Sequence, residues 1–210
     1  MKPGEFVTSD HHFGHKNIIK FCNRPFVDKC KVTEDNPGGT FLNSSRMNES
    51  LIEAWNKKVP QGAVVYYLGD FGFLKTPEET ISVLSRLNGE KRFIRGNHDK
   101  NFNGEVLKHV SWIKDYYETT TPNKERVVMC HYPMMSWNGG YRGSWMLHGH
   151  SHGNMGPQTK RIIDVGVDTR KDLAPYSYEE IAKIISTRDK RGCFESEIKD
   201  SDIKENVNDD

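Results

Sequence analysis

Residues 144–153, "SWMLHGHSHG", begin as a short apolar run and end in a comb of donors, with His148, His150 and His152 at every second position. The comb reads as three metal ligands, as two ligands and a bystander, or as a histidine-rich turn. The same grammar recurs upstream. "EFVTS" (5–9) runs into Asp10-His11-His12, "AVVYYLG" (63–69) into Asp70, "KRFIR" (91–95) into Gly96-Asn97-His98-Asp99, and "RVVMC" (126–130) into His131. "RIIDVGV" (161–167) is a sixth strand candidate. In open α/β sheets ligands bind beyond the carboxyl ends of the strands, so these donors converge on one crevice despite some 140 intervening positions.

Helical patterns alternate with the strands, which predicts an α/β fold. "MNESLIEAWNKKV" (47–59) places Leu51, Ile52, Trp55 and Val59 on one face. In "TPEETISVLSRLNG" (76–89), Thr76 is the predicted N-cap, Pro77 the first helical residue, Glu79 the return arm of a capping box and Gly89 the stop, with Ile81, Leu84 and Leu87 as the apolar stripe. "SYEEIAKIIS" (177–186) repeats the capping box with Ser177 and Glu180. The stretch 28–45, "DKCKVTEDNPGGTFLNSS", has no periodicity and reads as a long loop, either a functional lid or a surface insertion.

At 210 residues the length suits one domain. The expected division is a folded domain over 1–188 and a polar, acidic, flexible tail over 189–210. Charges nearly cancel, with 30 Lys+Arg against 29 Asp+Glu, which gives no sign of a nucleic-acid or anionic-membrane partner. From Glu195 onward there are seven acids and two lysines, so residues 1–194 carry a net +6, enough to suit an anionic substrate. Cys22, Cys30, Cys130 and Cys193 lack metal or disulfide-scaffold spacing and read as reduced thiols. The N-terminus lacks the apolar segment of a signal peptide, and no apolar run approaches the roughly 18 residues of a membrane span. A soluble cytoplasmic protein is the expectation, its oligomeric state open.

The strand-end donors are carboxylate, imidazole and amide, with no thiolate, a set suited to Mn, Fe, Zn, Co or Ni. Seven ligands exceed the needs of one ion. Two divalent cations sharing a bridging Asp, with a second Asp, leave about +2, which suits a phosphate ester plus hydroxide.

The ordered motifs Asp10-x-His12, Gly69-Asp70, Gly96-Asn97-His98-Asp99, His131 and Gly149-His150-x-His152 resemble those of the calcineurin-like metallophosphoesterases. The variant "SDHHFGHKNIIKFCNRPF" (9–26) resembles small single-domain members found in bacteria and phages. The resemblance implies a four-layer α-β-β-α sandwich of two packed mixed β-sheets flanked by helices. It implies two divalent metal ions, with manganese first and Fe, Zn, Ni or Co as alternatives. One ion would take Asp10, His12 and His152, the other Asn97, His131 and His150, with Asp70 bridging; His148 is then the bystander of the comb and His11 points away.

His98 resembles the histidine that contacts the phosphate and protonates the leaving oxygen, with Asp99 orienting its ring. The implied reaction is in-line attack of a metal-bridging hydroxide on a phosphodiester, a nucleotide or other small phosphoester being favoured. A nuclease, a phosphomonoesterase and a non-catalytic metal-bound scaffold are the alternatives. His15, Arg24 and Arg142 are candidate substrate contacts; Trp137, Tyr141 and Arg142 form a candidate base clamp, the alternative being that Trp137 and Trp145 pack the rim.

Overall fold

A computed structural model describes residues 1–100, 102–156 and 160–189. In chain order the elements are β1 (Glu5–Thr8), α1 (Ile18–Phe21), β2 (Val27–Lys29), β3 (Thr40–Leu42), α2 (Ser44–Lys58), β4 (Val64–Tyr67), α3 (Pro77–Arg86), β5 (Glu90–Ile94), β6 (Trp112–Lys114), β7 (Tyr116–Thr120), β8 (Arg126–Cys130), β9 (Trp145–His148), β10 (Ile162–Asp164), β11 (Tyr176–Ser177) and α4 (Tyr178–Ser186). The five-stranded sheet has the order β11-β1-β4-β5-β6, parallel except for β11. The four-stranded sheet runs β10-β9-β8-β7, parallel except for β7.

Side-chain alternation assigns the two faces of the first sheet. Phe6, Val65, Tyr67 and Phe93 pack with Met47, Leu51 and Trp55 of α2 and Val83 and Leu84 of α3. The opposite residues Val7, Tyr66, Leu68 and Ile94 meet Val127, Met129, Trp145, Leu147 and Ile163 of the second sheet, so the two sheets share a core, which Ile181 and Ile185 of α4 join. The chain is thus a mixed α/β structure of helices, sheet and sheet. On the far face of the second sheet, Val128, Cys130, Met146 and Ile162 pack with Trp137 from the β8–β9 connection. Among the described residues, the helical structure in that connection is a single 3-10 turn, Gly140–Arg142.

The segment 28–45 is a loop only over residues 30–39, with regular structure at both ends. β2 and β3 form an antiparallel ribbon, and Asn43 caps α2 by accepting the Arg46 N–H, so the helix starts three residues before the predicted run. No periodicity reveals the ribbon because Val27, Lys29, Thr40 and Phe41 are exposed and no buried face repeats. Short β6 and β7 also escape the pattern. The capping box of α4 forms, whereas at α3 the Thr76 side chain accepts the Glu79 N–H but Glu79 returns to the N–H of Lys75. No helix among the described residues is long and apolar enough to cross a membrane. Cys193 and, beyond Asp189, the expected acidic tail lie outside the described residues.

Candidate metal centre

The strand ends meet where the two sheets share an edge. Of the eight non-glycine residues with positive φ among those described, five are strand-end donors: Asp10 (61°), His12 (52°), Asp70 (57°), His150 (69°) and His152 (48°). Left-handed backbone costs an L-residue about 1–2 kcal/mol, and such strain persists where the surroundings enforce it. Here backbone bonds stitch the loops together: Asp10 N–H to Gly69 O (3.0 Å), His12 N–H to Asp70 O (3.2 Å) and Gly149 N–H to His131 O (2.9 Å). The His150 N–H donates to both Asp10 carboxylate oxygens, at 3.1 and 3.0 Å. The approach is so close that a Cβ on Gly69 would stand 2.6 Å from Gly96 N, and one on Gly149 2.6 Å from Asp10 Oδ2.

The fold gathers two triads, Asp10/His12/His152 and Asp70/His131/His150, the donor atoms within each lying no more than 4.8 Å apart. Asp70 faces both: Oδ2 is 3.5 Å from His12 Nε2 and Oδ1 is 3.5 Å from His131 Nε2. Two donors about 2.1 Å from one ion at a tetrahedral angle stand about 3.4 Å apart. Asn97 Oδ1 is 3.0 Å from His131 Nε2, so it joins the second group.

The donor set fits a cation. His12 is buried, yet neither ring nitrogen has a hydrogen-bond partner, the kind of orphan that demands an explanation. His131 Nδ1 lies 2.7 Å from Leu68 O and donates to it, which turns the Nε2 lone pair toward the oxygens of Asn97 and Asp70. Burial pushes His12 down to about 2, which keeps its imidazole neutral as a ligand must be. Burial raises Asp10 to about 7 against the pull of His152 and His131. Asp70, against burial, is held at about 2 by His131 and the His98 N–H.

His152 is oriented from behind. Its Nδ1 donates to Asp168 Oδ2 at 2.6 Å, and Asp168 is gripped by Arg24 through Nε (2.7 Å) and a terminal nitrogen (2.8 Å). A carboxylate behind a ligand histidine fixes its tautomer and ring plane. Cys22 Sγ also lies 3.3 Å from Nδ1, and Cys22, His152 and Asp168 form a third donor group. Arg24 already occupies both oxygens of Asp168, so that group serves the first triad rather than forming a centre of its own.

Arg24, expected at the substrate, is therefore corrected. It is buried, and besides Asp168 it donates to the backbone oxygens of Asp10 and His11 at 2.7 Å each. Asp99 does not orient the His98 ring: both its oxygens accept backbone N–H groups, those of Phe71, Asp70 and Gly96, at 2.7–2.8 Å. It ties the Asp70 loop to the Asn97 loop. His98 itself stands at the mouth, its side chain 41% exposed and its Nε2 3.9 Å from Asp70 Oδ2. His15 is beside it, half-buried and stacked on Phe73 at 4.0 Å. Arg142 is exposed and lies over the Tyr141 ring, while Trp137 packs in the core of the second sheet. Asp168 was missed, although it follows the sixth strand candidate as the other donors follow theirs.

His148 is fully buried, with Nδ1 2.8 Å from Gly149 O, and belongs to neither triad; His11 turns into the core against Tyr67, Phe13 and Trp55. We expect His150→Ala and His152→Ala each to lower bound metal by at least one ion per chain in elemental analysis, and His148→Ala to retain most of it. Equal loss in all three would remove the distinction.

No protein-family model matches the chain. Among solved structures, a protein of unknown function from Aquifex aeolicus, AQ665, superposes with a TM-score of 0.62 at 23% identity over 88% of this chain and all of that one, a likeness of fold. A conserved uncharacterized protein from Streptococcus pneumoniae, described as a predicted phosphoesterase, reaches a TM-score of 0.31 at 13% identity over 77% of this chain and 69% of that one. The uncharacterized protein MJ1445 of Methanocaldococcus jannaschii is 34% identical over 189 residues, which cover 86% of this chain and 90% of that protein. At that identity and coverage, the chain belongs to the family of the Methanocaldococcus jannaschii protein.

Proposed function

We propose that this protein is a dinuclear-metal-dependent phosphoesterase of the calcineurin-like type that hydrolyses small phosphodiesters. The observation that carries the reading is Asp70, whose two oxygens address different donor triads. Asp10, His12, His152 and Asp70 would hold one ion, and Asp70, Asn97, His131 and His150 the other; manganese suits this oxygen and imidazole set. When bound, the two ions supply Lewis acidity toward the phosphoryl oxygens and lower the pKa of water to about 7.

The chain's own residues do the rest. Arg24 and Asp168 hold the His152 ring in one tautomer. Asp99 locks the Asp70 and Asn97 loops in register. Hydrolysis forms a P–O bond to water and breaks the one to the leaving alcohol, which departs with a proton donated by His98 Nε2, the exposed histidine at the mouth.

Two readouts test the proposal. Protein loaded with Mn and desalted should carry two ions per chain by elemental analysis; none bound at millimolar Mn would remove the centre. A panel of bis(p-nitrophenyl) phosphate, p-nitrophenyl phosphate, 2′,3′- and 3′,5′-cyclic nucleotides and single-stranded DNA, assayed with Mn, Ni and Zn after chelation, should show the highest turnover on a diester. Two bound ions without turnover of any ester would leave a metal-binding scaffold.

A further inference from the structure

Two partly exposed aromatic rings stand against the histidines of the centre. Phe73, 41% exposed, stacks on His15 at 4.0 Å and on His12 at 5.7 Å, and lies 4.6 Å from His98. Tyr132, 45% exposed, lies 4.9 Å from His150 and 5.0 Å from His131. Single exposed apolar side chains are ordinary on protein surfaces, but these two touch the histidines of different triads. Phe73 flanks the first group and Tyr132 the second; His15 covers one face of the Phe73 ring, and each ring keeps exposed surface beside its own triad. Phe21, 70% exposed and 6.2 Å from His15, extends the first of these surfaces outward.

A phosphomonoester has one organic arm and would leave one ring bare. A diester has two. Rings of this kind bind nucleobases through their π-faces with little sequence preference, each stacked base being worth roughly 5- to 150-fold in affinity. The net +6 of residues 1–194 is modest for neutralising many backbone phosphates, which favours a short ligand over a long strand.

We propose that Phe73 and Tyr132 are two base platforms, and that the site takes a phosphodiester bearing a nucleoside on each ester arm, of dinucleotide size. The inference rests on the phosphoesterase reading above and names its substrate class.

The test uses Mn-loaded protein and a non-hydrolysable dinucleoside methylenephosphonate carrying 2-aminopurine as either base, whose fluorescence is quenched on stacking. Both probes should be quenched by the wild type. Phe73→Ala should abolish quenching at one position and Tyr132→Ala at the other, each weakening binding roughly 5- to 150-fold, with Phe73→Trp and Tyr132→Phe restoring it. In steady state KM for a dinucleoside monophosphate should rise by the same factor in each alanine variant. KM for a mononucleotide methyl ester, which has one base, should respond to only one of them. Circular dichroism and metal content exclude misfolding.

Absence of quenching, or alanine variants that bind like the wild type, overturns the platforms, and a ten-nucleotide strand bound over 100-fold more tightly than the dinucleotide overturns the size. Quenching that depends on both rings without turnover of any ester overturns the hydrolase reading and upholds the platforms; turnover without quenching does the reverse.

Discussion

His98→Asn is expected to leave both ions bound while kcat falls by roughly 10²–10⁴-fold, the contribution of a positioned acid–base group. The substitution is structurally mild: the ring is at the surface, and what His98 gives to Asp70 Oδ1, a 2.9 Å hydrogen bond, comes from its backbone N–H and survives. The loss should depend on the leaving group. p-Nitrophenolate departs without help, whereas an alkoxide such as a ribose hydroxyl needs the proton, so the defect should be greatest on nucleotide esters. Asp99→Asn should behave differently. Its carboxylate accepts three backbone N–H groups, and an amide NH₂ facing one of them leaves a buried donor unsatisfied, which costs about 1–3 kcal/mol. Stability and metal content should fall together. Wild-type turnover by a fully loaded His98→Asn enzyme on alkoxide-leaving esters would end the general-acid assignment.

Arg24→Met should destabilise the metal-free protein by about 3–5 kcal/mol, the penalty for leaving one partner of a buried ion pair alone. At this chain length that lowers Tm by about 6–20 °C. The pair is well inside: the Arg24 and Asp168 side chains are 1% and 5% exposed. Asp168 is held well below the ordinary carboxylate range, against burial, by His152 and Arg24. A depressed carboxylate stabilises the fold above its unfolded pKa of about 3.9 and loses that contribution as the pH falls below it. The gap between wild type and variant, measured by urea unfolding at pH 7 and at pH 3, should therefore narrow in acid. Asp168→Asn should weaken one of the two ions about 10- to 100-fold, as loss of a ligand's supporting carboxylate does, and spare the other. An Arg24→Met protein as stable as the wild type at pH 7 would mean that Arg24 is not the partner that offsets the buried Asp168 charge.

The strands that carry the donors were legible because short β-rich runs and strand-end polar residues follow from local rules: strands buried on both faces read as near-continuous apolar runs, and polar chemistry is needed where a parallel sheet opens. The capping box at Ser177 was legible for the same reason, since all its atoms lie within four residues. So were the residue types and order of the donors at five strand ends, although Asp168, after the sixth strand candidate, was not read from them. The ribbon of β2 and β3 was not, because its faces are mostly exposed and leave no periodic trace.

What each polar group does was decided in three dimensions. Arg24 looked free for substrate until the fold placed it 144 positions away in sequence against Asp168, and Asp99 looked like a partner for His98 until three backbone N–H groups from two loops claimed both its oxygens. Phe73 and Tyr132, unremarked as letters, gained meaning from the histidines beside them. Sequence spacing specifies which donors a chain can offer. A long-range hydrogen bond saturates or frees a donor according to what packing brings within about 3 Å, and only the tertiary fold sets that distance, bringing Arg24 to Asp168 across the sequence and Asp99 to Asp70 across the neighbouring strands β4 and β5.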